Sequence, residues 1–358
     1  MQPMLRTPHP SRDPQPTAKA SSLSHLIFER PDLELAERFL TDFGLVVARE
    51  SADILYMRGT GSAPYCYRVH RAPRARFVGF GLCVAKEADL IKVSQLPGAA
   101  AIEPCQYLGG GQFTHLSDPS GFVVEVVYGR AQASVLERRP PLTLNDGAEP
   151  KRVNATQRPP AKPSEIIKLG HIVLEVAEYQ KTCEWYTKNF GFIPSDVQVL
   201  PDGSPLVTFM RLDLGDQPAD HHTIAIAQGF TPGYSHSAYE VVDADAVGMG
   251  QRILREHGWK HAWGIGRHIL GSQLFDYWQD PWGDKHEHYC DGDLFTSEKT
   301  MGVEWASAEA MAQWGQRMPA SFTRPKLTTE NFFGLFRSLR HSPDVTLKKL
   351  ITMAKLFG

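Results

Sequence analysis

The sequence is poor in cysteine, and none of its cysteines stands in a Cys-x-x-Cys pair. Its 358 residues contain five widely spaced cysteines, an odd number that indicates buried thiols in a reducing compartment rather than a disulfide framework. Residues 1–22 are polar and contain no apolar core, so we expect a disordered leader and no signal peptide. A cytoplasmic protein is the simplest expectation.

The chain also lacks an excess of charge of either sign. Its 38 basic and 40 acidic residues give a formal net charge of −2, which offers no electrostatic reason to expect nucleic acid or a membrane as a partner. The glycine run at residues 109–111 is not followed by the Gly-Lys-Ser/Thr sequence of a phosphate-binding loop. The 42% hydrophobic and 22% charged residues are typical of a globular protein, so we expect small-molecule chemistry.

The most informative feature that is present is an internal repeat. Residues 23–29 and 33–43 predict a strand and a helix that ends before Gly44, and residues 169–176 and 179–190 predict the same pair before Gly191. A turn of the type Asp-Pro-x-Gly, followed by a strand with a glutamate, also occurs twice, with Glu125 and Glu287 in matching positions. The chain is therefore a duplication.

The duplication predicts two halves, each with two strand-helix-strand-strand-strand modules. We expect a leader at 1–22, an N-terminal domain at 23–130, a Pro- and Arg-rich linker at 131–165, a C-terminal domain at 166–295 and an extension at 296–358. Near the end of the extension, an apolar stripe on a predicted helix is typical of docking on its own core or on a second subunit; it consists of Leu347, Leu350, Ile351 and Ala354.

Three residues in the second half form a candidate metal site. His171 and His236 lie in the first strands of the third and fourth modules, and Glu287 lies in the last strand of the fourth. Side chains alternate along a strand, which puts Glu287 on one face and its neighbours His286 and His288 on the other. Two neutral imidazoles and one carboxylate leave three adjacent positions of an octahedral ferrous ion open. Such an ion can hold a bidentate substrate and dioxygen together.

Four motifs carry a resemblance to a known family. They are Gly170-His-Ile-Val-Leu-Glu-Val, His221-His-Thr-Ile-Ala-Ile-Ala, His236-Ser-Ala-Tyr-Glu-Val, and Gly266-Arg-His with Phe275-Asp-Tyr-Trp-Gln-Asp-Pro-Trp-Gly and Glu287. In this order they resemble the type I extradiol ring-cleaving dioxygenases of the vicinal oxygen chelate superfamily. The likeness is detailed from about residue 166 to 293 and weaker, but in register, from 23 to 129. It implies an α+β fold of four βαβββ modules paired into two domains.

The resemblance also implies roles for particular side chains. Fe(II), or less often Mn(II), is expected on His171, His236 and Glu287. His222 is implied as the acid/base that handles substrate protons, and Tyr277 as a donor to substrate or to a developing oxyanion. His221 competes with His222, because adjacent strand residues face opposite ways and only one of them can point into the pocket.

One position departs from the family pattern. Many members carry a second pocket histidine four residues after the Gly-Arg-His step, where this chain has Ser272. We expect Ser272 to leave room for, or to hydrogen-bond, a polar ring substituent, with His268 partly taking over the role of the missing histidine. In the N-terminal half the position that matches His236 is Gly79, so we expect no complete metal site there.

These features together predict extradiol cleavage of a catechol-type aromatic diol, with insertion of both atoms of O2, in aromatic hydrocarbon catabolism. The expected partners are the diol and O2, without nucleic acid or membrane, and the resemblance implies a homo-oligomer. Two alternatives stay open. One is an oxygen-independent metalloenzyme of the same superfamily, such as a glyoxalase-like lyase or isomerase, and the other is a non-catalytic ligand-binding protein on the same scaffold.

Overall fold

The computed structural model describes residues 3–323 and 329–357, which form an α+β protein as the sequence predicts. Two large sheets, of eight and ten strands, and one two-stranded sheet account for its strands. No helix within the described residues is long and apolar enough to cross a membrane.

The first half of the chain forms the eight-stranded sheet and two helices. Its elements are, in order, β1 (Ala20–Arg30), α1 (Leu33–Asp42), β2 (Val46–Glu50), β3 (Ile54–Arg58), β4 (Tyr67–Arg71), β5 (Arg76–Val84), α2 (Glu87–Ser94), β6 (Glu103–Pro104), β7 (Gln112–Ser117) and β8 (Val123–Tyr128). The sheet order is β2-β3-β4-β1-β5-β8-β7-β6.

The second half repeats this arrangement, with longer helices and some longer strands. They are β9 (Ile166–Val176), α3 (Tyr179–Phe190), β10 (Ile193–Val199), β11 (Pro205–Arg211), β12 (Ala219–Asp220), β13 (Ile224–Gln228), β14 (Gly233–Val241), α4 (Ala244–Glu256), β15 (Lys260–Arg267), β16 (Leu274–Gln279), β17 (Lys285–Cys290) and β18 (Leu294–Phe295). In the sheet, the order β10-β11-β13-β9-β14-β17-β16-β15 matches that of the first half strand for strand.

The C-terminal extension adds elements around the second sheet. They are β19 (Gly302–Trp305), a 3-10 turn at Glu309–Met311, β20 (Trp314–Gly315), α5 (Ala320–Thr323), α6 (Thr329–His341) and α7 (Leu347–Phe357). Strand β19 pairs with β10 at one edge of the sheet and β20 pairs with β15 at the other. The extension therefore reaches both sides of the C-terminal domain.

The register of the central strands decides which side chains meet. Ala238 on β14 pairs with His171 on β9 and with Glu287 on β17. His236 precedes Ala238 by two residues and so lies on the same face of the sheet. Three strands that are far apart in sequence thus present two imidazoles and one carboxylate to one side.

The first sheet has the same register without the same residues. Gly81 on β5 pairs with His25 and with Glu125, as Ala238 does with its partners. The residue two positions earlier is Gly79, as the sequence alignment of the two halves predicts. A Cβ atom there would lie 1.9 Å from a backbone carbonyl oxygen of β8, so no side chain fits at this position without a shift of the backbone.

The N-terminal segment differs from the expectation of a disordered leader. Residues 3–19 lie along the C-terminal half, where the backbone N–H groups of Thr17 and Ala18 donate to the carbonyls of Lys188 and Asn189. The side chain of Ala18 is buried, and β1 begins at Ala20, inside the expected leader. Polar composition alone predicted disorder because it does not register contacts with distant residues. The expected linker contains neither helix nor strand between Tyr128 and Ile166.

The two halves pack through the outer face of β17. Nε2 of His286 forms a hydrogen bond with the Tyr67 hydroxyl at 3.2 Å. The ring of His288 stacks on that of Phe43, with centroids 3.9 Å apart. Nε2 of His288 also donates to the carbonyl oxygen of Phe43. Both histidines therefore serve the junction of the two halves, on the face opposite Glu287, as strand alternation predicts.

Arg30 connects β1 to the turn before β17. Its buried guanidinium donates to Asp280 at 2.9 Å and to Asp284 at 2.7 Å, and it lies over the rings of Phe28 and Trp282 at 4.4 and 4.9 Å. The same Asp280 accepts from the backbone N–H groups of Trp282 and Asp284 and so closes the turn. One cation thus fixes the turn that delivers Glu287.

We predict that Arg30→Ala destabilises the protein by about 3–5 kcal/mol, because it leaves two carboxylates without their buried cation. Arg76→Ala is the matched control: Arg76 pairs with Glu29, but its side chain is 62% exposed, so its loss costs no more than about 1 kcal/mol. Denaturant unfolding of both variants measures the difference. Equal effects of the two substitutions contradict the role of Arg30 as the buried connection.

Candidate metal centre

The three predicted ligands lie together in the C-terminal domain. The potential ligand atoms of His171, His236 and Glu287 all lie within 4.8 Å of one another. Nε2 of His171 is 3.3 Å from Oε2 of Glu287, and Nε2 of His236 is 3.5 Å from the same oxygen. The structure thus brings together the cluster that the sequence predicts from three separate strands.

The carboxylate of Glu287 needs a cation. It is fully buried, and neither of its oxygens has a hydrogen-bond partner among the described residues. A buried ionised carboxylate is costly unless it is paired or coordinates a metal. Two imidazoles and one carboxylate are a donor set that divalent transition metals accept. The residues at this position therefore fit a divalent metal ion.

The pKa values favour the protonation states that metal ligands require. Burial raises the pKa of Glu287. The neighbouring imidazoles of His171 and His268 lower it by more, so the pKa lies below its usual range. Burial also holds the pKa of His236 well below its ordinary value. The carboxyl group is thus ionised and this imidazole neutral near pH 7, which are the forms that bind metal.

The N-terminal half contains an internal comparison. Glu125 is also buried, but Arg68 donates to both of its oxygens at 2.6 and 3.2 Å, and Nε2 of His25 lies 3.0 Å from Oε2. Burial raises the pKa of Glu125, yet these neighbours lower it to about 2. The guanidinium of Arg68 neutralises the carboxylate of Glu125. Glu287 has no such arginine partner among the described residues.

His222 and His221 occupy different environments. His222 lines the cavity beside the cluster, with its ring centroid 3.9 Å from that of His171, whereas His221 does not line the cavity. The two residues follow β12 and precede β13, rather than lying in one strand as we expected. His222 is therefore the member of the pair that lines the cavity, whereas His221, which we expected as a substrate contact, does not line it.

A hydrogen-bonded chain runs behind His222. Nε2 of His221 lies 2.6 Å from Oδ2 of Asp196, and Nδ1 of His221 lies 3.0 Å from Nδ1 of His222. An ionised carboxylate only accepts hydrogen bonds, so Nε2 of His221 carries a proton and donates it in a hydrogen bond to Asp196. Nδ1 of His221 then accepts from Nδ1–H of His222, which leaves the lone pair of His222 on Nε2.

His268 and Tyr277 form a second polar pair in the cavity. Nδ1 of His268 donates to the carbonyl oxygen of Met311 at 2.7 Å, so its Nε2 accepts from the Tyr277 hydroxyl at 2.9 Å. The same Nε2 lies 3.6 Å from Oε1 of Glu287. Burial holds the pKa of Tyr277 well above its ordinary value, which keeps this hydroxyl a donor. Both side chains line the cavity, as we expected for residues that contact the substrate.

Ser272 does not lie where we expected. Its hydroxyl donates to Asp293 at 3.0 Å, outside the residues that line the cavity. The backbone at Ser272 is left-handed, with φ of 54°, and it follows Gly271 with φ of 80°. This local turn directs the side chain away from the cavity. Leu270 and Gln273 line the cavity instead.

A cavity of about 500 Å³ opens from the metal cluster. Its walls include residues of the C-terminal extension that the sequence did not assign to a site: Met311, Met318, Phe322, Leu350, Met353 and Ala354. The predicted apolar stripe of α7 was the signal for part of this wall. In the structure the stripe is divided, since Leu347 and Ile351 are 66% and 50% exposed.

Comparison with known proteins places this geometry in context. Residues 168–287 match the model of the Glyoxalase/Bleomycin resistance protein/Dioxygenase superfamily. The chain is 28% identical over 313 residues to a protein named metapyrocatechase 2 from Cupriavidus necator, covering 87% of this chain and 93% of that protein. It is 27% identical to a protein named iron-dependent extradiol dioxygenase from Rhodococcus jostii strain RHA1, over 82% of this chain and 96% of that one.

Solved structures share the fold. A Mn(II)-bound glyoxalase from Novosphingobium aromaticivorans matches with a TM-score of 0.72 at 22% identity, over 87% of this chain and 97% of that one. An extradiol ring-cleaving dioxygenase from B. fuscum matches with a TM-score of 0.73 at 16% identity, over 90% of this chain and 87% of that one. The predicted fold and the predicted resemblance are confirmed.

We predict that Mn(II), or Fe(II) without oxygen, raises the melting temperature of the metal-free protein by binding at Glu287. An ion at a hundredfold excess over its Kd stabilises the folded state by about 2.7 kcal/mol. Glu287→Gln removes this shift, because the amide does not neutralise the ion. Thermal melts with and without metal provide the measurement.

Glu125→Gln is the matched control for this experiment. Its carboxylate has the same place in the register of the other sheet, but it contacts Arg68 instead. We expect this variant to melt at a lower temperature and still to respond to metal. If both variants lose the response, or if neither does, the metal is bound elsewhere.

Proposed function

From this resemblance to the glyoxalase/bleomycin resistance protein/dioxygenase superfamily, we propose that the chain is an extradiol dioxygenase. It cleaves the ring of a catechol-type aromatic diol beside its hydroxyl groups and incorporates both atoms of O2. The observation that carries the proposal is the cluster of His171, His236 and Glu287 at one end of a largely apolar cavity. The names of the two relatives support it, because both are ring-cleaving enzymes of this kind.

The proposed metal is Fe(II), with Mn(II) as the alternative. His171, His236 and Glu287 would hold a divalent ion with a net charge of about +1, which would favour an anionic diol. The name of the relative from Rhodococcus jostii, an iron-dependent dioxygenase, supports Fe(II). The Mn(II)-bound glyoxalase of the same fold supports Mn(II) as the alternative. A homo-oligomeric assembly and a cytoplasmic location stay predictions.

His222 is the proposed acid/base. The hydrogen-bonded chain from Asp196 through His221 fixes the tautomer of His222 and leaves the Nε2 lone pair free of that chain. Such a lone pair accepts a hydroxyl proton from a diol that enters the cavity, and the resulting N–H returns the proton later. Asp196 and His221 are positioning residues in this proposal, since they act through His222.

Tyr277 and His268 are proposed to orient the substrate. The Tyr277 hydroxyl donates to Nε2 of His268. It can turn to an oxygen of the diol, because its raised pKa keeps the proton on the phenol. His268 is itself held by the Met311 carbonyl, so the Nε2 position stays fixed beside Glu287.

A glyoxalase-like lyase is the second candidate function. The specific observation in its favour is the structural match to the Mn(II)-bound glyoxalase over 97% of that chain. The two functions differ in their need for oxygen.

We predict that the metal-loaded protein consumes one O2 per diol cleaved, with a coloured ring-fission product. His236→Ala reduces the rate to background, because it removes a proposed ligand. An oxygen electrode and absorption spectra measure both quantities across a panel of catechols. Cleavage or isomerisation of a substrate without uptake of O2 contradicts the dioxygenase proposal and favours the lyase.

We also predict that Asp196→Asn lowers kcat about 10- to 100-fold while KM and metal content change little. The amide can donate to His221 Nε2, which reverses the tautomers along the chain and puts a proton on His222 Nε2. Asp293→Asn is the control, since Asp293 contacts Ser272 outside the cavity. An unchanged kcat in Asp196→Asn contradicts the positioning role, and an equal fall in the control indicates a structural effect.

A further inference from the structure

The shape of the cavity carries information about the substituent on the substrate ring. The cavity of about 500 Å³ follows β9 from His171 past Val173 to Glu175, which share one face of the strand. Four residues of a strand span about 13 Å. Cavities of roughly 300–1,000 Å³ hold drug-sized ligands. A catechol ring, with eight non-hydrogen atoms, fills only the end beside the metal cluster.

Most of the wall beyond the ring position is apolar. Val207 and Ala227 line one side, on β11 and β13, and Phe230 follows β13. Two further sides come from the C-terminal extension, where Phe322 of α5 and Met353 of α7 contribute. Apolar surface of this kind gains free energy by burying apolar ligand atoms and loses it by burying a charge.

The charged groups around the cavity also affect which ring substituents it accepts. Among the described residues that line it there is no lysine or arginine, and its ionisable groups besides four histidines and Tyr277 consist of Glu175 alone. Burial raises the pKa of Glu175. A carboxylate on the substrate would meet the Glu175 carboxyl and no lysine or arginine in the lining, because the Lys285 ammonium donates to the Phe322 carbonyl behind the wall. An anionic substituent is therefore disfavoured by desolvation.

The wall formed by α7 is docked on the C-terminal domain. Lys349 Nζ donates to Gln228 at 2.9 Å, and Asp344 accepts from the backbone N–H of Gln180 at 3.1 Å. Met353 packs against Leu200 and Leu206. The helix therefore presents its apolar side to the cavity and leaves Ile351 on the outside.

We propose that this protein takes catechols that carry a bulky, uncharged, apolar substituent, which occupies the part of the cavity between β9, β11, β13 and the C-terminal extension. The inference rests on the proposed function for the ring itself and adds the class of substituent. Carboxylated catechols are poor substrates. Each methylene group that the substituent buries strengthens binding about fourfold.

The test compares catechol, 4-butylcatechol, 4-phenylcatechol and 3,4-dihydroxyphenylacetate. We expect kcat/KM to rise by on the order of 100-fold from catechol to 4-butylcatechol, and to fall below that of catechol for 3,4-dihydroxyphenylacetate. The butyl and phenyl compounds distinguish a flexible chain from an additional ring. Equal values for all four compounds, or a preference for the carboxylate, overturn the inference.

Two variants of α7 localise the effect. Met353→Arg places a cation in the wall, so the ratio of kcat/KM for 4-butylcatechol to that for 3,4-dihydroxyphenylacetate falls at least 10-fold. Ile351→Arg places the same side chain on the exposed side of the helix and leaves the ratio as in the wild type. A ratio that is unchanged in Met353→Arg overturns the assignment of this wall.

Binding distinguishes failure of the inference from failure of the proposed function. Anaerobic titration calorimetry of the metal-loaded protein measures the affinity for catechol and for 4-butylcatechol without turnover. Tighter binding of 4-butylcatechol in a protein that cleaves no diol supports the cavity assignment and contradicts the dioxygenase. Equal or weaker binding of 4-butylcatechol, in a protein that cleaves catechol, overturns the cavity assignment alone.

Discussion

The buried carboxylate of Glu287 is the constraint on which the candidate site depends. Its oxygens have no hydrogen-bond partner among the described residues, although the side chain is fully buried. Such a group is costly to bury, so a cation at this position stabilises the folded protein as well as serving the chemistry. Arg30 on β1 pairs with two aspartates of the turn before β17 and thereby fixes the strand that carries Glu287. The site in the second half thus depends on a contact from the first.

The duplication places two equivalent carboxylates in different surroundings. Glu125 and Glu287 have equivalent places in their sheets, but Arg68 neutralises Glu125 and two histidines surround Glu287. Gly79 explains why the first half has no third ligand, since β8 approaches too closely for a side chain at that position. The first half instead contributes to the junction with the second half, through Arg30, Phe43 and Tyr67.

The sequence predicts the features that depend on local periodicity. The modules, the Asp-Pro-Trp-Gly turn and the alternation around Glu287 follow from turn chemistry and strand geometry, and the structure contains all of them. The orientation of His222 depends on Asp196, which is distant in sequence and reaches His221 only in the folded sheet. Ser272 turns away because of a left-handed backbone that its residue type does not indicate.

Sequence periodicity also does not predict that the C-terminal extension forms part of the cavity wall. The stripe of α7 predicts a docked helix, but not the cavity that it covers. The leader likewise lies along the C-terminal half through backbone hydrogen bonds, which composition does not encode. Elements that gain their order from distant partners are the ones for which sequence and structure differ.

The most direct test of the account is anomalous X-ray diffraction from crystals prepared without oxygen in the presence of Fe(II). We expect one iron peak within coordination distance of Nε2 of His171, Nε2 of His236 and a carboxylate oxygen of Glu287. On soaking with a catechol, both diol oxygens then bind the same ion. An iron peak at other residues, or a metal enclosed by further protein ligands with no position for a diol, contradicts the account.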